Sequence, residues 1–174
     1  MNCRSCANEN LSLILDLGNQ PWCNDFLTED QVGTEVTYPL RLTYCTECEL
    51  LQLDHTVPKE TMFGDHCYLS GMTKTLQNHF YEVARENVDQ FEIQPDDLVV
   101  DIGGNDGTQL KQYQKCGITN VLNIECAERV SQIALENGVR TLTEYFNRQC
   151  AEEHLGEDSV RLYNASGVFF HLEE

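Results

Sequence analysis

Basic residues are scarce in this sequence. Lysine and arginine together number 11, against 29 aspartates and glutamates, and the formal net charge is −18. A chain of this charge is repelled by the phosphate backbone of DNA and RNA, so the composition argues against a nucleic-acid partner. Long apolar runs are also missing, because no stretch approaches the roughly 18 apolar residues of a membrane helix. We therefore expect a soluble protein without a membrane partner.

A secretory leader is not recognisable at the start of the chain. The first residues, Met1 to Cys6, lack the basic start and the apolar stretch of a signal peptide. This predicts a cytoplasmic, reducing location, in which disulfides are rare. Paired cysteines in such a location indicate metal ligands more readily than bridges.

Two of the cysteine pairs have the spacing of zinc ligands. Cys3 and Cys6 form one pair, and Cys45 and Cys48 form the other. Each pair puts two thiolates on one tight turn, and two such turns complete the tetrahedral shell of Zn²⁺. Four sulfur ligands leave no open position for water, so the predicted zinc is structural; the alternative is a set of ordinary reduced cysteines. The other cysteines show no partner spacing and are expected to be buried or unreactive: Cys23, Cys67, Cys116, Cys126 and Cys150.

The sequence pattern changes near residue 60 and again near Pro95. Turn residues separate short predicted strands before residue 60, at 11–15, 38–42 and 50–53. Between Thr73 and Phe91, apolar residues recur on one helical face, which predicts an amphipathic helix with Ser70 or Thr73 as its N-cap. We predict a zinc-binding domain, a helical connector lining the substrate site and a cofactor domain at residues 1–60, 61–95 and 96–174.

The last segment predicts an α/β fold. The β-branched run at 98–102 is typical of a parallel strand covered on both faces. Strands and helices then alternate, as in crossover units of a parallel, Rossmann-like sheet. The further strands are predicted at 121–124, 139–142 and 160–163, and the helices at 108–116, 127–137 and 148–154. The chain is thus predicted as a small β-rich zinc domain followed by a Rossmann-like domain.

A glycine-rich loop follows the first strand of this alternation. Asp101 ends the strand, Gly103 and Gly107 hold the outer glycine positions, and Asn105 takes the middle one, where it tolerates a left-handed conformation. Glu125 follows the next strand about 20 residues later, at the place of a ribose-binding acid. A strand, loop and helix in this order predict a nucleotide-binding site. The pattern from Asp101 to Gly107 looks like the signature of class I methyltransferases, in which acidic groups around the loop suit the cationic S-adenosylmethionine. This resemblance favours S-adenosylmethionine over a dinucleotide; a turn without ligand is the remaining alternative.

The motifs together resemble a known enzyme family. The loop looks like the signature of class I methyltransferases. Two further segments join it, Met62 to Ser70 and Val168 to His171. With the cysteine pairs, this set resembles the sugar C-methyltransferases, which methylate nucleotide-linked 4-keto-deoxysugars in deoxysugar biosynthesis.

The resemblance implies roles for three aromatic or histidine residues. Tyr68 would line the sugar pocket and His171 would lie near the reacting carbon, both as catalytic candidates, while Phe146 would contact adenine. In such enzymes a base removes the proton next to the keto group, and the enolate attacks the methyl group of the cofactor. His66 stands where family members tend to have another tyrosine.

The family is much longer than this chain, which looks like an N-terminal portion. Its Glu-His base motif and remaining strands would lie beyond Glu174, and the fourth predicted strand would be an exposed edge without a neighbour. Two other functions remain open: a non-catalytic, zinc-containing module that binds a nucleotide sugar or a protein, and an NAD-dependent oxidoreductase. The oxidoreductase is disfavoured by the missing central glycine.

Overall fold

The computed structural model describes residues 1–23, 26–64 and 67–171. The chain divides into two units, Met1–Met62 and Phe63–Glu174, here called unit 1 and unit 2. Asp65 and His66, which belong to the segment predicted to bind the substrate, lie outside the described residues.

Unit 1 contains a three-stranded antiparallel sheet. Strand β1 (Leu11–Pro21) pairs with β2 (Thr37–Cys45), which pairs with β3 (Leu51–Leu53). The three strands confirm the predicted pattern, although β1 continues well beyond its predicted end. A 3-10 turn at Glu29–Gln31 lies between β1 and β2, and a short helix, α1 (Lys59–Phe63), follows β3.

Very little of unit 1 is buried. Among its described residues, the buried ones are Cys3, Thr43, Cys45 and Gln52. The apolar side chains of β1 are exposed instead, with Leu13 at 57% and Leu17 at 51%. A module of this size with so small a core needs another source of stability, and a bound metal is a common one.

The first long helix of unit 2 is the predicted amphipathic helix. Helix α2 spans Lys74–Gln90 and buries Phe80 and Ala84 on its inner face. The Thr73 side chain accepts a hydrogen bond from the backbone N–H of Leu76 at 3.3 Å, so Thr73 is the N-cap. A 3-10 turn at Ser70–Met72 precedes the helix. None of the described helices combines the length and the apolar character that a membrane span requires.

A four-stranded parallel sheet forms the centre of unit 2 and confirms the predicted α/β alternation. Its strands, in chain order, are β4 (Leu98–Ile102), β5 (Val121–Ile124), β6 (Thr141–Leu142) and β7 (Val160–Asn164). Helices connect them in turn: α3 (Thr108–Lys115), α4 (Glu128–Glu136) and α5 (Arg148–His154). The strand order is β6-β5-β4-β7. The fourth strand is thus an edge strand of the sheet, but it has a neighbour, since β7 pairs with β4.

This strand order places a reversal beside β4. The chain moves outward from β4 through β5 to β6 and then returns to add β7 on the other side. In open α/β sheets, ligands bind outside the carboxyl ends of the strands at such a reversal. The loop that follows β4 therefore lies where a cofactor site is expected.

The sheet is covered on both faces by apolar side chains, as its β-branched strands predict. Neighbouring residues of β4 belong to different clusters: Val99 packs with Leu110 and Tyr113 of α3, whereas Val100 packs with Cys150 of α5. These two clusters hold β4 and its loop in place from both sides.

Candidate functional site

The four predicted metal ligands of unit 1 come together in one cluster. The Sγ atoms of Cys3 and Cys48 are 3.5 Å apart, and those of Cys6 and Cys45 are 3.6 Å apart. All four sulfur atoms lie within 4.8 Å of one another. A tetrahedral zinc ion with Zn–S bonds of about 2.3 Å would hold its sulfur atoms about 3.8 Å apart. The cluster therefore fits a four-sulfur zinc site with no ligand position left for water.

The two cysteine turns have the same backbone form. In each, the carbonyl of the first cysteine accepts from the residue four positions on: Ala7 donates to Cys3 at 2.9 Å, and Glu49 donates to Cys45 at 3.0 Å. Both donors have a left-handed backbone, with φ of 60° at Ala7 and 64° at Glu49. Sequence reasoning missed these two positions, because glycine is the usual sign of a left-handed residue and neither is glycine.

The thiols of the cluster differ in how readily they ionise. The backbone N–H of Cys6 is the main group that lowers the pKa of Cys3 to about 6. The backbone N–H of Cys48 likewise lowers the pKa of Cys45. At Cys6 a backbone donor at Asn8 also lowers the pKa, but burial and the neighbouring thiols raise it to about 12. Backbone donors aimed at sulfur are suited to thiolates, the form in which cysteine binds zinc.

The other five cysteines lie outside this cluster. Cys150 is buried and Cys116 and Cys126 are partly buried, but Cys23 and Cys67 are exposed. Of the two expected alternatives, buried or unreactive, burial is therefore excluded for the last two, which lie in irregular segments rather than on a helix or strand.

The loop of unit 2 has the backbone that its glycine pattern predicts. Gly103, Asn105 and Gly107 all adopt left-handed conformations, with φ of 62°, 55° and 75°. Asn105 is thus the non-glycine residue that replaces the middle glycine without changing the backbone form. The loop ends at the N-terminus of α3, as nucleotide-binding loops do.

Gly104 shows how closely the loop approaches the sheet. A Cβ atom at this position would lie 2.8 Å from Oδ2 of Asp101 and would collide with Oδ1 of Asn123. Asn123 is fully buried on β5, and its Nδ2 donates to the carbonyl of Asn105 at 3.0 Å. Sequence reasoning missed Asn123, although a polar residue inside an apolar strand was a usable signal.

Glu125 is held by the backbone on both sides of its carboxylate. Oε2 accepts from the N–H of Asn105 at 3.0 Å, and Oε1 accepts from the N–H of Ala127 at 2.9 Å. A carboxylate offers about four lone-pair sites, so two remain for ligand hydroxyls. The predicted ribose-binding acid is therefore fixed in place beside the loop and retains acceptor capacity.

Asp101 adds a second acid at this edge of the sheet. Its side chain is buried, and its Oδ1 has no hydrogen-bond partner among the described residues. Burial, and then the negative charge of Glu125, raise the pKa of the Asp101 carboxyl to about 7. Two acidic groups that are both buried from water would be stabilised by a cation and destabilised by another anion.

Tyr68 and His171, the predicted catalytic pair, both lie in segments that reach the loop. The carbonyl of Tyr68 accepts from Nδ2 of Asn105 at 2.9 Å, while the Tyr68 side chain is about half exposed. The turn that begins at Val168 and includes His171 also reaches the loop, because a Cβ on Gly103 would lie 2.7 Å from Cγ2 of Val168.

His171 lies in a 3-10 turn at Phe169–His171 rather than at the end of a strand. Its ring packs against Phe63, with 4.9 Å between the ring centroids, and desolvation lowers the pKa of its imidazole. The ring is therefore neutral more readily than that of a free histidine, as a general base requires.

Phe146, predicted to contact adenine, lies after β6. Its ring is 6.5 Å from that of Tyr163, and it packs against the core cluster around Val100. It also lines a cavity of about 530 Å³, together with Asn147, Arg148 and Ala151. The Phe146 side chain thus packs against the core and also borders the cavity.

Comparison with known proteins agrees with the metal centre. Residues 3–63 match the family described as "Putative zinc binding domain". The match and the geometry of the four sulfur atoms together assign zinc as the metal of unit 1.

Nearly the whole chain also aligns with a curated relative. It is 26% identical to the C-methyltransferase NovU of Streptomyces niveus over 174 residues, which cover 99% of this chain. The chain is similar to a C-methyltransferase. The predicted resemblance to C-methyltransferases is therefore confirmed, and the chain spans 41% of that relative's length.

Solved structures of two plantazolicin methyltransferases overlap with part of the chain. The complex of BpumL with a pentazolic analogue and SAH covers 51% of this chain and 33% of its own, with 13% identity and a TM-score of 0.37. The complex of BamL with a triazolic analogue and SAH covers 49% and 34%, with 16% identity and a TM-score of 0.36.

Proposed function

We propose that this chain supplies the zinc-binding and cofactor-binding parts of an S-adenosylmethionine-dependent C-methyltransferase that acts on a nucleotide-linked 4-keto-deoxysugar. The observation that carries the proposal is the pair of buried acids, Asp101 and Glu125, around a left-handed loop at the reversal point of the sheet. Such a site favours a cationic ligand without phosphate over a dinucleotide. The similarity to NovU supports the same class of reaction.

Each part of the chain has a role in this proposal. Residues 1–60 are the zinc-stabilised domain, residues 61–95 line the acceptor site, and residues 96–174 bind the cofactor, which supplies the methyl group. The two lone-pair sites left on Glu125 accept the ribose hydroxyls. The charge of Asp101 would stabilise the sulfonium, and Phe146, which borders a cavity, would contact the adenine.

The acceptor chemistry is assigned to two side chains. His171, whose lowered pKa keeps the ring neutral near pH 7, takes the proton from the carbon next to the keto group. The hydroxyl of Tyr68 donates to the enolate oxygen that forms, because a donor placed there stabilises the developing charge. When bound, S-adenosylmethionine would supply the methyl group that the enolate carbon accepts.

Titration calorimetry tests the cofactor assignment. Adenosylmethionine and its product adenosylhomocysteine should bind, whereas NAD should not. Glu125→Gln keeps the size of the side chain but removes its charge, and we expect about tenfold weaker binding, since hydrogen bonds to a charged group contribute about 1.5–3 kcal/mol. Glu128→Gln, at an exposed acid three residues further along the chain at the start of α4, is the matched control and should bind like the wild type. Binding of NAD alone would contradict the proposal.

The substrate class is tested by transfer of a labelled methyl group. Full-length chain, adenosylmethionine and a nucleotide-linked 4-keto-deoxysugar should give a product labelled on carbon. Label on oxygen or nitrogen, or transfer only to an acceptor without a keto group, would contradict the proposed acceptor.

A further inference from the structure

The side chain of Asn105 leaves the cofactor loop and binds the backbone of a distant segment. Its Oδ1 accepts from the N–H of Ser70 at 2.9 Å, and its Nδ2 donates to the carbonyl of Tyr68 at 2.9 Å. One amide therefore uses both its donor and its acceptor on the segment that enters the 3-10 turn at Ser70–Met72.

The next residue of the loop extends this contact. Oδ2 of Asp106 accepts from the N–H of Gly71 at 2.8 Å. Gly71 is pressed against the loop, since a Cβ there would lie 2.7 Å from Oγ1 of Thr108 and 2.9 Å from Oδ2 of Asp106. Two successive loop side chains thus hold three backbone groups of residues 68–71, an arrangement that we call the loop clasp.

The backbone of Asn105 is fixed to the other side of the site. Its N–H donates to the carboxylate of Glu125 at 3.0 Å, and its carbonyl accepts from Asn123 at 3.0 Å. A shift of Glu125 toward a ligand would therefore act on the backbone of Asn105, and through its side chain on the segment that carries Tyr68.

The loop clasp also explains why asparagine replaces glycine at this position. A left-handed backbone strains most side chains, asparagine less than others, whereas glycine adopts it freely. Two hydrogen bonds to backbone groups offset the strain at Asn105. Glycine would preserve the loop but would release residues 68–71.

We propose that Asn105 is a positioning residue that holds the segment of Tyr68 against the cofactor loop, so that binding of the cofactor further orders this segment. The coupling to the cofactor rests on the proposed function. The attachment itself rests only on the contacts of Asn105 and Asp106 with residues 68–71.

Hydrogen exchange read by mass spectrometry tests both parts on the full chain. In the absence of ligand, Asn105→Gly should make the amide of Ser70 exchange about tenfold faster, because it loses its acceptor. The matched control is Asp158→Gly, since Asp158 also has φ of 55° but lies in an exposed turn. This control removes the same backbone strain and should leave exchange of residues 67–73 unchanged.

The coupling is read from the same peptide after adenosylhomocysteine is added. Calorimetry first sets the concentration that saturates each variant equally. Wild type and Asp158→Gly should then gain protection in residues 67–73, whereas Asn105→Gly should not. Equal ligand-free exchange in Asn105→Gly and wild type would overturn the attachment, and an equal ligand-linked gain would overturn the coupling. If wild type does not bind adenosylhomocysteine, the proposed function and the coupling both fail, while the ligand-free comparison still decides the attachment.

Discussion

Asp101 of β4 and Asn123 of β5 are register partners in the parallel sheet, and Gly104 passes over both side chains. Both polar side chains are buried in the sheet. Their position gives the backbone of the loop only enough space for a residue without a side chain. Gly104 is therefore constrained by close approach, whereas its neighbour Gly103 has a left-handed φ of 62°.

Gly104→Ala should lower both stability and cofactor binding. The added Cβ would collide with Oδ1 of Asn123 and lie 2.8 Å from Asp101, and overpacking of this kind costs about 1–3 kcal/mol. Thermal unfolding and calorimetry with adenosylhomocysteine measure the two effects. Gly156→Ala is the control, because its Cβ would meet only Ser159 at an ordinary 3.4 Å. An equal melting temperature for both variants would show that the loop can move away from the sheet.

The raised pKa of Asp101 predicts how stability depends on pH. The carboxyl has a pKa of about 7 in the folded protein and 3.8 without its surroundings. Between these values the folded state keeps a proton that the unfolded chain has released, so this group makes the fold less stable as pH rises from about 4 to 7. Asp101→Asn removes the effect, which is of the order of a few kcal/mol. In urea unfolding, the free energy of unfolding of Asp101→Asn should increase relative to that of the wild type between pH 5 and pH 8.

Much of unit 2 could be predicted from the sequence, because its signals are local. The β-branched run at 98–102 and the glycines around Asn105 define a strand, a turn and a helix from neighbouring residues alone. The loop clasp could not be predicted in this way. It joins Asn105 to Tyr68 and Ser70 across more than thirty residues of chain, and no pattern in either segment indicates the other.

In unit 1, too, one feature could be predicted from neighbouring residues and another could not. The cysteine spacing predicts the ligand set, because each pair fits one turn of the chain. The left-handed backbone of Ala7 and Glu49 carries no sequence signal, since both residues favour other conformations. These turns form because the closing hydrogen bonds and the bound metal determine the backbone there.

Removal of zinc should unfold unit 1, whose described residues bury so little else. The purified chain should contain one zinc per molecule by elemental analysis, and a chelator should increase hydrogen exchange throughout Met1–Met62. Cys45→Ser should do the same without chelator, because it removes a buried ligand. Cys23→Ser, at an exposed thiol outside the cluster, should keep the zinc and the protection. Full zinc content in Cys45→Ser would contradict the proposed ligand set.

Glu49 closes the turn that carries Cys45 and Cys48, and it allows a separate test of whether the left-handed backbone there is needed to hold the metal. Glu49 is exposed, so replacing its side chain removes few contacts. Its backbone is left-handed, which limits the residues that fit at this position. Glu49→Gly should be tolerated, because glycine adopts this φ without strain. Glu49→Val should destabilise unit 1 by about 1–2 kcal/mol, since a β-branched residue is strongly disfavoured there. The chelator concentration that removes half of the zinc should therefore be lower for the valine variant than for the glycine variant. If the two variants lose zinc at the same concentration, the turn does not need its left-handed residue to hold the metal.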